Sequence, residues 1–359
     1  VELLPEGFMD SAQVARSKAT VHSGIYQMEY GACFSTDSKG FFKRSLIESC
    51  VVNKKEPINF PSGEAFFEPF LRGNPNLRYI YGIDPASEVD NFSIVVIEMH
   101  EDHRRVVHCW TTTRSEHKEK VKTGLVKETD FYSYCARKIR DLMKTFPCER
   151  IAMDAQGGGI AVMEALHDND KIQEGELPIW EAIDDKKEKD TDGNPGLHIL
   201  EMCQFAKSDW LSEANHGLRK DFEDRVLLFP AFDSVTIGLS LADDKFKKRV
   251  FDTLEDCVME IEELKNELSI IEMTQTPAGR DKWDTPQVIV AAGKKSKLRK
   301  DRYSALIMAN IAARTIQRTP HSPDYESFGG FVGGKNKDVK GPDYIAPSWF
   351  SEGMKGIYD

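Results

Sequence analysis

The chain has 359 residues, with 48 Lys+Arg against 59 Asp+Glu and a formal net charge of −11. Apolar residues make up 40% and charged residues 30%, the balance of a soluble globular chain of one large domain or two. No run approaches the roughly 18 apolar residues of a membrane helix, the opening VELLPEGFMD lacks a signal-peptide pattern, and the acidic balance gives the whole molecule no nonspecific grip on nucleic acid.

Seven cysteines stand at positions 33, 50, 109, 135, 148, 203 and 257. An odd count, wide spacings and the lack of any CxxC or CxxH pair disfavour a disulfide framework and a zinc ribbon, leaving reduced thiols.

Residues 1–75 mix short helical and extended patterns, closed by the turn signals Phe60-Pro61-Ser62-Gly63 and Arg72-Gly73-Asn74-Pro75. They read as a lead-in or the remnant of a preceding domain, and a start at Val1 suits a fragment or a processed form. From Arg78 the pattern changes. Tyr79–Ile83, Phe92–Met99 and Arg105–Thr113 are apolar runs rich in β-branched residues, joined by short polar turns, which predicts an antiparallel meander. Thr129–Phe146 carries Phe131, Cys135, Ile139, Leu142 and Met143 on one stripe and predicts a helix. Arg150–Met153 predicts a short buried strand, and Gly157-Gly158-Gly159 leads into a second helix through Ile160, Val162, Met163 and Leu166. A meander followed by strand–helix units implies an α/β fold, a mixed sheet flanked by helices.

Residues 181–192 hold six acids and three lysines ahead of Gly193-Asn194-Pro195-Gly196, an exposed loop or hairpin tip. Ser208–Phe222 predicts a helix and Val226–Phe229 a strand. Phe246, Val250, Leu254, Val258, Ile261, Leu264, Leu268 and Ile271 then recur at helical intervals, one long amphipathic helix packed on the sheet. Val288–Ala292 is a further apolar run, and a helix follows over Lys300–Arg318. The last 41 residues (319–359) hold seven Gly and four Pro and read as a flexible tail. His100, His103, His108 and His117 show no metal-ligand spacing and read as solvated or structural.

Three aspartates stand out. Asp84 closes the run Tyr81-Gly82-Ile83, and Asp154 closes Ile151-Ala152-Met153; an acid at the end of a buried strand can face a cleft at the sheet's edge. Asp301 opens the last helix. Singly, each has an ordinary role: Asp before Pro85 makes a turn, the glycines after Asp154 make a strand–turn–helix, and a helix-start Asp is a cap. Together they can converge on two divalent cations, Mg²⁺ or Mn²⁺, hard ions that prefer oxygen ligands. Two such ions about 3.5–4 Å apart can activate water and stabilise the leaving oxygen of a phosphodiester. Asp90 is an auxiliary ligand candidate, with a turn role as the plainer reading. Lys294, Lys295, Lys297, Arg299, Lys300 and Arg302 form a dense basic stretch, readable as a solvated face or as a strip contacting DNA phosphates.

The meander opened by YGIDPASEVDNFSIVVI, the MDAQGGG turn and the KDRYSALIMAN helix resemble, in this order, the nuclease domain of tailed-phage large terminase subunits. The resemblance spans residues 76–318 and implies a ribonuclease H-like fold. It also implies a metal-dependent endonuclease that cuts concatemeric double-stranded viral DNA during genome packaging, in the cytoplasm of the bacterial host. Asp84, Asp154 and Asp301 would be its catalytic and metal-binding acids, and Asp90 falls where some members carry a further acid. The capsid portal and the small terminase subunit are the implied partners, with no membrane. Tyr26–Phe34 resembles the end of that family's packaging ATPase domain, so the expected division is 1–75, 76–318 and 319–359.

Two departures matter. No Walker A sequence GxxxxGK[ST] occurs, so the family's motor activity does not carry over to this chain. Ser304 stands where many relatives place a further acid. The competing readings are another ribonuclease H-like nuclease, such as a junction resolvase or an integrase, and an assembly module docking to the portal through a tail carrying Trp349, Phe350 and Tyr358.

Overall fold

In the computed structural model of the chain, the described residues are 40–85, 90–184, 190–205, 207–232, 252–277, 279–289 and 295–318. The segment Tyr26–Phe34, Phe246, Val250, Lys294 and the 319–359 tail lie outside them. In chain order the elements begin with α1 (Arg44–Glu48), β1 (Val51–Val52), β2 (Ile58–Phe60) and β3 (Gly63–Ala65). The meander is β4 (Arg78–Asp84), β5 (Phe92–Met99) and β6 (Arg104–Thr112). Next come α2 (Arg114–Lys122), α3 (Phe131–Met143), β7 (Cys148–Asp154), α4 (Gly159–His167), β8 (Ile179–Glu181) and β9 (Leu197–Cys203). The last group is α5 (Ser208–Glu223), β10 (Leu227–Pro230), α6 (Leu254–Ile270), β11 (Glu272–Gln275), β12 (Asp281–Asp284), β13 (Gln287–Ile289), β14 (Lys295–Lys297) and α7 (Asp301–Arg318).

Eight strands pair in the order β1-β10-β6-β5-β4-β7-β9-β8. β5 is antiparallel to both its neighbours, and every other pairing in this sheet is parallel. Helices flank the sheet, which is the mixed α/β class expected from the sequence. Because β4, β6, β7 and β9 run in one direction, their C-terminal ends share one edge.

Period-two alternation divides the central strands between two cores. Tyr79, Tyr81 and Ile83 of β4 join Ile151 and Met153 of β7 in a core with α3 and α4. Ile80 and Ala152 face the other core, built with α5, α6 and α7. That second layer is held close by Gly82, where an added Cβ would stand 1.8 Å from the Ala305 carbonyl oxygen of α7. Small residues at Ala305, Ala309, Ala312 and Ala313 let the helix approach, and all four are buried. Asn310 is also fully buried in mid-helix; it accepts from Arg104 at 2.9 Å and donates to Asp221 at 2.7 Å, so its own amide oxygen and nitrogen are both partnered.

Local chemistry sets the helix ends. Asp130 accepts from the Ser133 amide at 2.7 Å and starts α3 there rather than at Thr129. Thr253 and Asp256 form a reciprocal capping box, so α6 begins at Leu254; the expected positions Phe246 and Val250 lie outside the described residues. The polar helix α2 was not foreseen, although Thr113 and Glu116 spell its capping box.

The expected boundary near residue 75 runs through the core. β1 is the sheet's edge strand, Phe41, Phe42 and Ile47 are buried with α6 and α7, and the described residues belong to one compact unit ending at Arg318. Strands two or three residues long carry too little periodicity to announce this. The six described cysteines are all free thiols. Among the described residues, no helix is long and apolar enough to cross a membrane.

Candidate active site

Asp84 and Asp154 each stand two residues beyond a position facing the α7 layer, Gly82 and Ala152, so alternation turns both acids toward that layer. Asp301 opens that helix, and Ser304 follows three residues later, on the same side of its first turn. Ser304 lies near enough to Asp84 for its hydroxyl to favour the charged carboxylate. Asp84 and Asp154 are partly accessible, and Asp301 is buried at 9% exposure.

Each acid has its own fixings. The Gln156 amide donates to Asp154 at 3.1 Å, inside a turn tight enough that a Cβ on Gly159 would stand 2.0 Å from the Asp154 carbonyl oxygen. The Asn91 amide donates to Asp301 at 3.0 Å, and the Asn91 side chain accepts from Arg299 at 2.5 Å. The expected auxiliary acid Asp90 is exposed, and its charge acts on Asp301.

The electrostatics show the acids sensing one another. Burial foremost, then the charges of Asp301 and Asp154, push the Asp84 carboxyl well above the usual range, while Ser304 and Lys300 pull it back. Asp154 is raised by burial against its two backbone donors, and Asp301 by burial and Asp90. Where the folded state holds the Asp84 proton to higher pH than the unfolded chain, stability is greatest below the ordinary carboxyl range and falls as pH rises through the raised value. In EDTA, Asp84→Asn should therefore melt higher than the parent by a gap of a few degrees (about 2–4 °C) that widens from pH 5 to 8. A gap independent of pH, read by circular dichroism, would contradict the raised carboxyl.

Among the described residues, no three Asp, Glu, His or Cys side chains stand close enough together to hold a metal ion in their present positions. By donor chemistry the set fits a hard divalent cation: it offers only carboxylate oxygens, and their mutual repulsion is what a dication relieves. The histidines form no such set. His103, His108 and His117 are buried, and His100 stacks on His103 with ring centroids 4.4 Å apart.

The basic stretch divides. Lys295 and Lys297 lie in β14. Arg299 is joined to Asn91, and the Lys300 ammonium sits 3.1 Å from the Asp284 carboxylate. Arg302 departs from the expected phosphate contact: its guanidinium is committed to Glu260 and Glu267, each at 2.7 Å, with its side chain only 12% exposed. Next to Asp301 on a helix, it turns toward α6 because two α6 carboxylates are there to meet it. Sequence reasoning also missed Asn91 as the residue fixing Asp301; its place directly after Asp90 was the available signal.

No protein-family model matches the chain, and no curated protein matches it. Among solved structures it is similar to the large terminase nuclease from the thermophilic phage G20c, at 11% identity and a TM-score of 0.43, over 76% of this chain and 97% of that one. The same nuclease with bound magnesium gives 10% identity and a TM-score of 0.44, over 77% and 98%. The HK97 bacteriophage large terminase gives 17% identity and a TM-score of 0.41, over 76% of this chain and 43% of that one. At such identity and TM-score, the acid-bearing edge itself has to carry any functional conclusion.

Proposed function

We propose that this chain is a divalent-cation-dependent endonuclease that cuts double-stranded DNA, in the manner of a terminase nuclease trimming concatemers during packaging. What supports this is the placement of the three acids: Asp84 and Asp154 close neighbouring parallel strands, Asp301 opens the helix packed on them, and the Asp84 carboxyl is raised first by burial and then by the charges of the other two. The order of the three acidic motifs and their resemblance to terminase nucleases add the biological setting: the bacterial cytoplasm, the capsid portal and the small terminase subunit.

The chain's own residues do the positioning. Asp84, Asp154 and Asp301 would hold two Mg²⁺ or Mn²⁺ ions, which supply water activation and charge stabilisation at the phosphodiester oxygens when bound. Ser304 favours the charged Asp84 carboxylate, the Asn91 amide holds that of Asp301, and the Gln156 amide in the tight turn after Asp154 holds that of Asp154. Lys300, tethered to Asp284, lies near enough for its charge to act on Asp84, and with Arg299 it forms the cationic side of the acids.

The test is nicking and linearisation of supercoiled plasmid by the full chain with Mn²⁺, Mg²⁺ or EDTA. Cleavage of plain duplex with either ion and none in EDTA is expected. No cleavage with either ion, or cleavage confined to branched DNA or RNA–DNA hybrid, would overturn the reading.

A further inference from the structure

A second basic track lies away from the 294–302 stretch. Along α2, Arg114, Lys118 and Lys122 recur every four residues, which sets them on one side of the helix over about 12 Å. Lys118 and Lys122 are exposed, and among the described residues none of the three makes a hydrogen bond or an ion pair. Lys300 and Arg302 are paired with carboxylates, as are Arg44, Arg104 and Arg137, whereas these three stand in line on one helix with no such partner among the described residues.

Arg114 is held by rings instead of by an anion. Its guanidinium carbon lies 4.8 Å from the Phe131 ring centroid and 4.6 Å from that of Tyr132, and its Nε is buried without a partner. Two aromatic faces fix the direction of the guanidinium while leaving its in-plane donors uncommitted. Asp130 feels its charge, but that carboxylate is used in capping α3.

Two connections place Arg114 at the acid-bearing edge. Thr111 pairs with Ser93, which pairs with Asp84, so one register row runs from β6 to the first acid, and Arg114 lies three residues beyond its end. Tyr132, under the guanidinium, also packs against the turn after Asp154, where a Cβ on Gly158 would come within 2.2 Å of its ring. Arg114 therefore belongs to the α3–α4 layer, whereas Arg299 and Lys300 lead into α7 on the opposite face.

Resting on the nuclease reading above, we propose that Arg114, Lys118 and Lys122 are a phosphate track for duplex DNA, with Arg114 gripping the backbone nearest the acids. The acids then lie between two cationic flanks, one on each face of the sheet. A guanidinium suits an immobilised phosphate through paired donors, and the two lysines, one helical turn apart, add point charges along the strand. Charge complementarity selects the occupant: three uncompensated cations in line match a polyanion.

The experiment is the salt dependence of binding of the full chain to a fluorescein-labelled duplex, by anisotropy with Ca²⁺ present, beside Mn²⁺-dependent plasmid nicking. Each lost phosphate contact lowers the slope of log K against log[salt] by about 0.9. Lys118→Gln with Lys122→Gln, which leaves the Arg114 packing intact, should lower the slope by about 2; adding Arg114→Gln should lower it by about 3 and slow nicking. Unchanged melting by circular dichroism confirms that α2 remains folded. A parent that binds and nicks while the double and triple variants keep its affinity and slope would overturn the track alone. A parent that neither binds duplex nor nicks would overturn the nuclease reading, and the track with it.

Discussion

Replacing Asp84, Asp154 or Asp301 by Asn is expected to lower Mn²⁺-dependent plasmid nicking at least about a hundredfold while leaving the fold intact. The size follows from what the carboxylates do. Charge stabilisation by a bound ion contributes several kcal/mol to a phosphodiester transition state, and each 1.36 kcal/mol is tenfold in rate. An amide of the same shape keeps the packing but removes the charge that attracts the ion. Stability should move the other way, because burial and mutual repulsion already make the charged Asp84 costly in the ion-free chain. Asp90→Asn is the internal contrast. Asp90 is exposed and its charge acts on Asp301, so its loss should change the rate by no more than about threefold. Full activity in any of the three main variants removes that residue from the site, and a collapse in Tm would assign it to folding instead.

Gly82→Ala should be the most damaging Gly→Ala change among the described glycines, costing about 3 kcal/mol in urea unfolding. The new Cβ would stand 1.8 Å from the Ala305 oxygen and 2.8 Å from the Ala309 nitrogen, both backbone atoms of α7. No side-chain rotation relieves a clash with backbone. Either α7 lifts off the sheet or β4 buckles, and the buried Asn310–Asp221–Arg104 network resists both. Activity should fall with stability, since lifting α7 carries Asp301 and Ser304 away from Asp84. Gly193→Ala is the control: nothing lies within 4 Å of its added Cβ, and a change within about 0.5 kcal/mol is expected. Equal stability for both variants would mean that β4 and α7 do not approach at Gly82.

The two residue patterns behind the proposed site were readable in the chain. Alternation in Ile80-Tyr81-Gly82-Ile83-Asp84 and Ile151-Ala152-Met153-Asp154 puts an acid at the end of each strand on one face, and the apolar run after Asp301 makes a buried helix. Such patterns are local: a strand repeats every two residues and a helix every 3.6 whatever they pack against. The meander, the parallel entry of β7 and the bounds of α5 and α7 follow from them. Helix ends were less legible, because the caps at Thr253 and Asp130 depend on single side chains rather than on a period.

What the tertiary structure decided is who meets whom. Arg299, Lys300 and Arg302 look interchangeable in sequence, yet Arg302 is spent on two carboxylates of α6, more than 30 residues upstream, and Arg299 is joined to Asn91, far earlier in the chain. Arg114 shows nothing in its own segment to mark it. Among the described residues its guanidinium makes no ion pair; the ring faces of Phe131 and Tyr132 hold it instead. Phe41, Phe42 and β1 likewise enter the core through partners more than 150 residues away. Charge and periodicity are properties of a segment, and the sequence determines them. Whether a charge is neutralised, or a strand finds an edge, depends on contacts between segments, and only the folded chain brings those together.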